Sequence, residues 1–157
     1  MTDRELALEA MRLKAVDRAG WKRAGIPHPE SVAAHSWGVA LLALLRCPPD
    51  VDRHKLLAMA ILHDLAEVRV GDLTPYDGVS KEDKHERERV AMDDLLADRP
   101  DLRALWDEAE AGVTPEARLL RELDRADMGA QALLYGDAGF DVAEFLASAG
   151  TAMARLG

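Results

Sequence analysis

Leu56-Leu57-Ala58-Met59-Ala60-Ile61-Leu62 is an unbroken run of seven apolar residues, and it stops abruptly at His63-Asp64. Seven consecutive apolar residues leave no polar stripe, so the run predicts a helix buried on every side, extending from about Val51 to Glu67. An imidazole and a carboxylate at the end of such a helix must be compensated, because an unpaired buried charge costs on the order of several kcal/mol. A cationic side chain or a metal ion would serve. The run itself holds no Lys or Arg, and Arg69 is the nearby cation that could fold back. Glu67 follows His63 by four residues and shares its face on a continuous helix. Asp72 comes next, in the loop Gly71-Asp72-Leu73-Thr74-Pro75.

Outward from this stretch the periodicity is helical almost throughout. Thr2 and Glu5 form a capping box for a first helix that turns Leu6, Ala10, Met11 and Leu13 inward. Gly20, Gly25, Pro27 and Pro29 mark a loop from about Asp17 to Pro29. A helix from about Ser31 to Arg46 sets Val32, His35, Val39 and Leu42 on one face, and Pro48-Pro49 ends it. Later helices are expected over Ser80 to Asp98, Leu102 to Glu110, Pro115 to Tyr135 and Asp141 to Leu156, with Thr114 capping the long one. No segment reads as a convincing strand; Val68-Arg69-Val70 is too short. The expectation is an all-α bundle forming a single domain over residues 1–157.

Composition limits the function. With 157 residues and 48% hydrophobic content, the chain can bury a core without needing a metal to fold. Cys47 is the one cysteine, which excludes an internal disulfide and suits a reducing compartment. Met1 to Glu9 are charged rather than basic-then-apolar, and no run is long enough to span a bilayer, so a cytoplasmic protein with no membrane partner is expected. A formal net charge of −9 argues against a nucleic-acid polymer as partner. A small phosphorylated ligand is compatible with it, and Lys14, Arg18, Lys22 and Arg23 cluster around Trp21 to meet one.

His35, on the apolar face of its helix, can converge with the His63-Asp64 pair, since helical bundles build metal sites from facing helices. The distant carboxylate is less clear. In the stripe Leu119, Leu120, Leu123, Ala126, Ala130 and Leu134, Asp127 lies nearer the centre and Asp124 at the edge. Two imidazoles and two carboxylates suit Mn, Co, Fe or Zn, with Mg admitted, better than Ca.

The order of these elements is identified as a resemblance. A His, a His-Asp pair about a quarter-chain later and a distant Asp resemble the HD-domain pattern, and the flanks look closest to the 5′-deoxynucleotidase subfamily. The matching stretches are Leu13-Lys14 through Arg18-Ala19-Gly20-Trp21, Pro29-Glu30-Ser31-Val32-Ala33-Ala34-His35-Ser36, Leu62 through Glu67, Gly71 through Pro75, Lys81 through His85, and Leu123-Asp124. They cover roughly residues 10 to 135. The resemblance implies an HD-domain helical bundle with a divalent metal held between core helices by His35, His63, Asp64 and Asp124. It implies catalytic roles for Glu67 and Asp72, and a substrate-binding loop at Trp21 and a nearby arginine. The bacterial form places Arg directly before Trp. Here Gly20 stands there and Arg18 lies three positions before, a spacing similar to the eukaryotic relatives, so Arg18 and Arg23 both stand as phosphate ligands. Asp127 is then a fallback ligand or a supporting carboxylate. The implied reaction is hydrolysis of a phosphomonoester, foremost a nucleoside 5′-monophosphate, and the resemblance allows a homodimer.

Three rivals are weighed. A di-iron oxygenase needs extra histidines between positions 64 and 124, where only His85 stands, in a charged run that reads as a solvated helix face. An alarmone-type hydrolase usually carries Glu-Asp soon after His-Asp, where this chain has Ala66-Glu67-Val68. A non-catalytic nucleotide-sensing module would not need Glu67 and Asp72. Trp37 and Trp106 are expected in the core or at an interface.

Overall fold

A computed structural model describes residues 1–157. The helices are α1 (Asp3–Ala10), α2 (Ala19–Arg23), α3 (Val32–Arg46), α4 (Arg53–Leu62), α5 (Glu67–Val70), α6 (Lys81–Leu95), α7 (Pro100–Ala111), α8 (Pro115–Asp137) and α9 (Ala143–Ala149), with 3₁₀ segments at Met11–Ala15 and Gly150–Leu156. The starts of the longer helices follow from local chemistry. Ser31, Asp52, Ser80 and Thr114 each accept a hydrogen bond from the backbone N–H three residues on, which satisfies donors that a helix N-terminus leaves open. The architecture is all-α; its one extended feature is an isolated antiparallel bridge between Asp17 and Ser31.

Helices α3, α4 and α8 pack on one another around Val39, Ala43, Leu56, Met59, Leu120 and Leu123. A second cluster gathers Leu62, Leu65, Met92, Leu95 and Trp106 under the end of α4. A third holds Trp21, Ile26, Ala132, Val142 and Phe145. No helix is long and apolar enough to cross a membrane.

Several expected boundaries move. The helix expected over Val51 to Glu67 stops at Leu62. Beyond it the backbone tightens to i→i−3 bonds: Leu65 N to Leu62 O at 3.0 Å, Glu67 N to Asp64 O at 3.0 Å, Val68 N to Leu65 O at 3.2 Å. An α-helix would have given the His63 carbonyl to Glu67 N–H; instead the Trp106 indole N–H donates to it at 3.3 Å. Tight 3₁₀-type turns eclipse residues three apart, so Glu67 aligns with Asp64 rather than with His63. The run is also not buried all round, because Ile61 is 62% exposed. Arg69 does not fold back to Asp64 but pairs with Glu9 and Asp94.

Within the expected loop 17–29, Ala19–Arg23 forms the short helix α2, tied at its base by Arg18 N to Glu30 O (3.0 Å) and Val32 N to Val16 O (2.8 Å). The C-terminal helix splits at Gly150, whose φ of +51° a residue with a Cβ rarely adopts. Met11 and Leu134, expected inward, are exposed.

Leu123 is fully buried where α8 meets α3 and α4, behind the loop-borne residues of the site. Leu123→Ala is expected to destabilise the fold by about 2–5 kcal/mol, read as a fall in the denaturation midpoint at unchanged m-value.

Candidate functional site

His35 is fully buried on the inner face of α3. Its ring lies between two carboxylates of α8: Asp127 Oδ2 is 2.7 Å from Nδ1 and Asp124 Oδ1 is 2.9 Å from Nε2. His63, at the last turn of α4, donates Nδ1–H to the Ala60 carbonyl at 2.8 Å, which turns its Nε2 toward His35. The two Nε2 atoms are 3.4 Å apart. Asp64 Oδ2 lies 3.3 Å from His63 Nε2 and 3.6 Å from His35 Nε2. His35, His63 and Asp64 therefore form a group with ligand atoms close enough for one metal ion.

The electrostatics of the group favour a cation. Burial opposes charge on His35, yet the hydrogen bonds to Asp124 and Asp127 outweigh it and raise the imidazole to about 10. His63 is also raised, burial being outweighed by Asp64. The Asp64 carboxyl is lowered: burial works against its charge, and His63, His35 and Arg18 overcome it. Carboxylates that hold a proton on these nitrogens would equally hold a divalent ion, whose binding displaces that proton. The donor spacing fits as well, because two metal–nitrogen bonds of about 2.1 Å at a tetrahedral angle place their nitrogens roughly 3.4 Å apart.

Arg18 precedes α2 and reaches the same place. Its Nη1 is 3.9 Å from both Asp64 Oδ2 and Asp72 Oδ2. Asp72 is steadied by the Ala19 backbone N–H, which donates to Oδ2 at 2.9 Å. Glu67 is buried beside Asp64, with Lys84 Nζ 3.9 Å from its Oε1 and no hydrogen-bond partner for its Oε2. Burial, together with Asp64 and Asp72, pushes its carboxyl up to about 10.

Two cavities adjoin these residues. One of about 400 Å³ is lined by Arg18, Asp72, Trp21, Arg23, Tyr76 and Phe145 among others. A smaller one of about 170 Å³ exposes His63, Asp64 and Asp124 on another side, next to Arg121.

The sequence-derived candidates thus fall into two groups. His35, His63, Asp64, Asp124, Glu67, Asp72 and Arg18 converge. Arg23 lies further along the larger cavity, paired with Glu144 and stacked 4.0 Å over Tyr76. Trp21 is 1% exposed, packed on Phe145 with ring centroids 4.3 Å apart, and it donates its indole N–H to Glu30 at 3.0 Å. His85 stays outside the cluster, stacked on Trp106 and 3.1 Å from Glu110.

Sequence reasoning gave no role to Glu30, Lys84 or Tyr76. Glu30 and Lys84 sat inside the stretches that carried the resemblance, but nothing in their spacing pointed at the site. Tyr76 arrives through the path of the 71–80 loop.

The 5′-deoxynucleotidase HDDC2 of Danio rerio is 42% identical over 129 residues, which cover 79% of this chain and 64% of the relative. The chain thus spans a little under two thirds of that relative's length. A conserved hypothetical protein from Pyrococcus furiosus superposes with a TM-score of 0.81 at 35% identity, over 92% of this chain and 86% of the other. The HD phosphohydrolase DatZ of cyanophage S-2L, solved bound to dA and one catalytic Zn²⁺ ion, superposes with a TM-score of 0.56 at 27% identity, over 82% and 69%. The family model described as HD domain matches residues 10–154, from the 3₁₀ turn before Arg18 to the C-terminal turn, and with His35, His63 and Asp64 brought together inside that span the chain belongs to the HD domain family.

Proposed function

We propose that this chain, as one HD domain over residues 1–157, hydrolyses a nucleoside 5′-monophosphate to nucleoside and inorganic phosphate, with a preference for deoxyribose. One observation carries the reading. Arg18 and Arg103 have equally buried side chains, each 17% exposed. The Arg103 guanidinium donates to Asp93 and Asp107, whereas that of Arg18 donates no hydrogen bond and only stands 3.9 Å from Asp64 and Asp72. A half-buried guanidinium with its fork open, at the mouth of a cavity, fits the planar bidentate recognition of a phosphate. Arg23, occupied by Glu144, fits the nucleoside end better. The name of the zebrafish relative and the dA in the phage enzyme support a nucleotide as substrate.

His35, His63, Asp64 and Asp124 would hold the ion, one of Mn, Co, Fe or Zn with Mg admitted. The Zn²⁺ of the phage enzyme favours Zn. A divalent ion supplies Lewis-acid polarisation of the phosphate and eases deprotonation of water there. Arg18 binds and orients the phosphate. Asp72, fixed by the Ala19 N–H, accepts the proton of the attacking water as its oxygen bonds to phosphorus. Glu67, whose raised carboxyl carries a proton, gives it to the 5′-oxygen as the phosphorus–oxygen bond breaks. Trp21 backs the cavity wall through Phe145 and keeps water out of that side. The cavity, about 400 Å³, is within the size of small-molecule sites.

We also propose a homodimer built on the outer face of α3. From Val32 to Leu45 there is no Lys, Arg, Asp or Glu, and Trp37 (68%), Leu41, Leu44 and Leu45 are exposed. Trp106, whose helix suggested an interface, is instead buried and cannot contribute. The lone free Cys47 supports a cytoplasmic location.

Phosphate release from ribo- and deoxyribonucleoside 5′-monophosphates, with Mn, Co, Zn, Mg or chelator, tests the activity. Glu67→Gln is expected to lower kcat by about 10²–10⁴-fold with little change in KM. Metal-independent release, or release indifferent to that change, would overturn the assignment. Arg18→Ala is expected to raise KM about 10–100-fold, the loss of a charge-assisted contact, with Arg18→Lys recovering only part. Trp37→Glu is expected to convert dimer to monomer in light scattering; a monomeric wild type would refute the interface.

A further inference from the structure

Gly38 sits in the middle of α3, a place where glycine is a poor helix former. Its φ is not positive, so backbone conformation does not require it. Space does. A Cβ built on Gly38 would collide with Asp127 Oδ1 and lie 2.8 Å from Asp127 Cγ and 3.3 Å from Oδ2. The carboxylate of Asp127, reaching across from α8, fills the place where a side chain at 38 would be.

That carboxylate has one hydrogen-bonding partner, His35 Nδ1 at 2.7 Å. Asp124 and Asp127 stand three residues apart on α8, hence on one face, and the ring of His35 lies between them with one nitrogen toward each. A single imidazole cannot direct both nitrogens at one ion. His63 Nε2 and Asp64 Oδ2 both lie on the Nε2 side, at 3.4 and 3.6 Å, which leaves Asp127 outside the ligand group. Glu30 also approaches His35 and Asp127, but its carboxylate is engaged by the Trp21 indole N–H at 3.0 Å.

We propose that Asp127 is a positioning residue for the metal centre and that Gly38 is the vacancy in α3 that admits it. Accepting the Nδ1–H of His35, Asp127 fixes the ring's rotation and its tautomer, aims the Nε2 lone pair at the ion and raises the basicity of that nitrogen. Gly38 acts only through Asp127. The inference rests on the metal centre proposed above.

The test is the dissociation constant for Zn²⁺ or Co²⁺, measured by competition with a chromophoric chelator, for wild type, Asp127→Ala, Asp127→Asn, Gly38→Ala, the double variant Gly38→Ala/Asp127→Ala, and Asp64→Ala. Circular dichroism of the metal-free proteins confirms that each is folded. Asp127→Ala is expected to weaken binding by about 10–100-fold. Asp127→Asn, whose amide oxygen can still accept from Nδ1–H, is expected to weaken it less and to keep the downfield Nδ1 proton of His35 in NMR spectra of the zinc-loaded protein. Gly38→Ala is expected to weaken binding as well, and the double variant no further than Asp127→Ala alone. Loss with Asp64→Ala but none with Asp127→Ala would overturn the positioning role. Independent, multiplicative losses for Gly38→Ala and Asp127→Ala would overturn the link between the two. No loss even with Asp64→Ala would overturn the metal centre itself.

Discussion

Two imidazole nitrogens that face each other across 3.4 Å, with carboxylates on either side, set the terms for the rest of the molecule. Such a pair can be held only if each ring is fixed from behind. His63 is fixed by the Ala60 carbonyl of its own helix, and His35 by Asp127 of another. The backbone around them is arranged to the same end. The Val39, Leu56, Met59 and Leu123 core locks α3, α4 and α8 together, so rings carried by different helices keep one separation. Core packing at this density tolerates little drift, which makes the apolar cluster the frame of a polar site.

The termination of α4 is the second constraint. Had the helix continued, Glu67 would have stood over His63 as much as over Asp64; the tighter turn eclipses it with Asp64 instead. The Trp106 indole takes the carbonyl that a further helical turn would have used. Leu65 and Ala66 then drop into the second cluster while Asp64 and Glu67 stay on the site's side. The indole from α7 thus caps the helix end at which His63, Asp64 and Glu67 gather. The cost is a buried carboxyl whose charge is disfavoured by burial and by two acidic neighbours, and that same environment gives Glu67 a proton to donate.

Much of this was legible in the chain. The apolar run ending in His63-Asp64 demanded a cation, and the ordered flanks carried the resemblance to the HD domain family. The structure brings His35, His63, Asp64 and Asp124 to one place. What stayed hidden depended on contacts between segments distant in sequence. Periodicity could not show that an indole from residue 106 would end α4, nor that Ile61 would face outward. It favoured Asp127 over Asp124 because both lie near the buried stripe of α8; only the ring orientation separates them. Hydrophobicity alone placed Trp37 and Trp106 together as core or interface, whereas packing buries one and exposes the other. The loop 17–29 hid the helix α2 because its glycines and prolines read as breakers, while the backbone pairing of residues 16–18 with 30–32 supplies the anchorage that a five-residue helix lacks alone.

An acidic chain that meets a phosphate needs its positive charge to be local. The formal charge is −9, and several arginines are engaged by carboxylates: Arg69 with Glu9 and Asp94, Arg89 with Glu86 and Asp93, Arg155 with Glu122. Arg18 differs because the carboxylates near it stop short of hydrogen bonding. Asp64 faces the imidazoles and Asp72 takes the Ala19 N–H, so neither closes the guanidinium fork. Burial without a partner is unfavourable for the isolated protein, and it is the condition under which an arriving phosphate gains most, since much of the desolvation of the guanidinium, whose side chain is 17% exposed, is already met. The proposed preference for a single small phosphoester over a polyanion rests on the open guanidinium of Arg18 lining a cavity rather than an open surface.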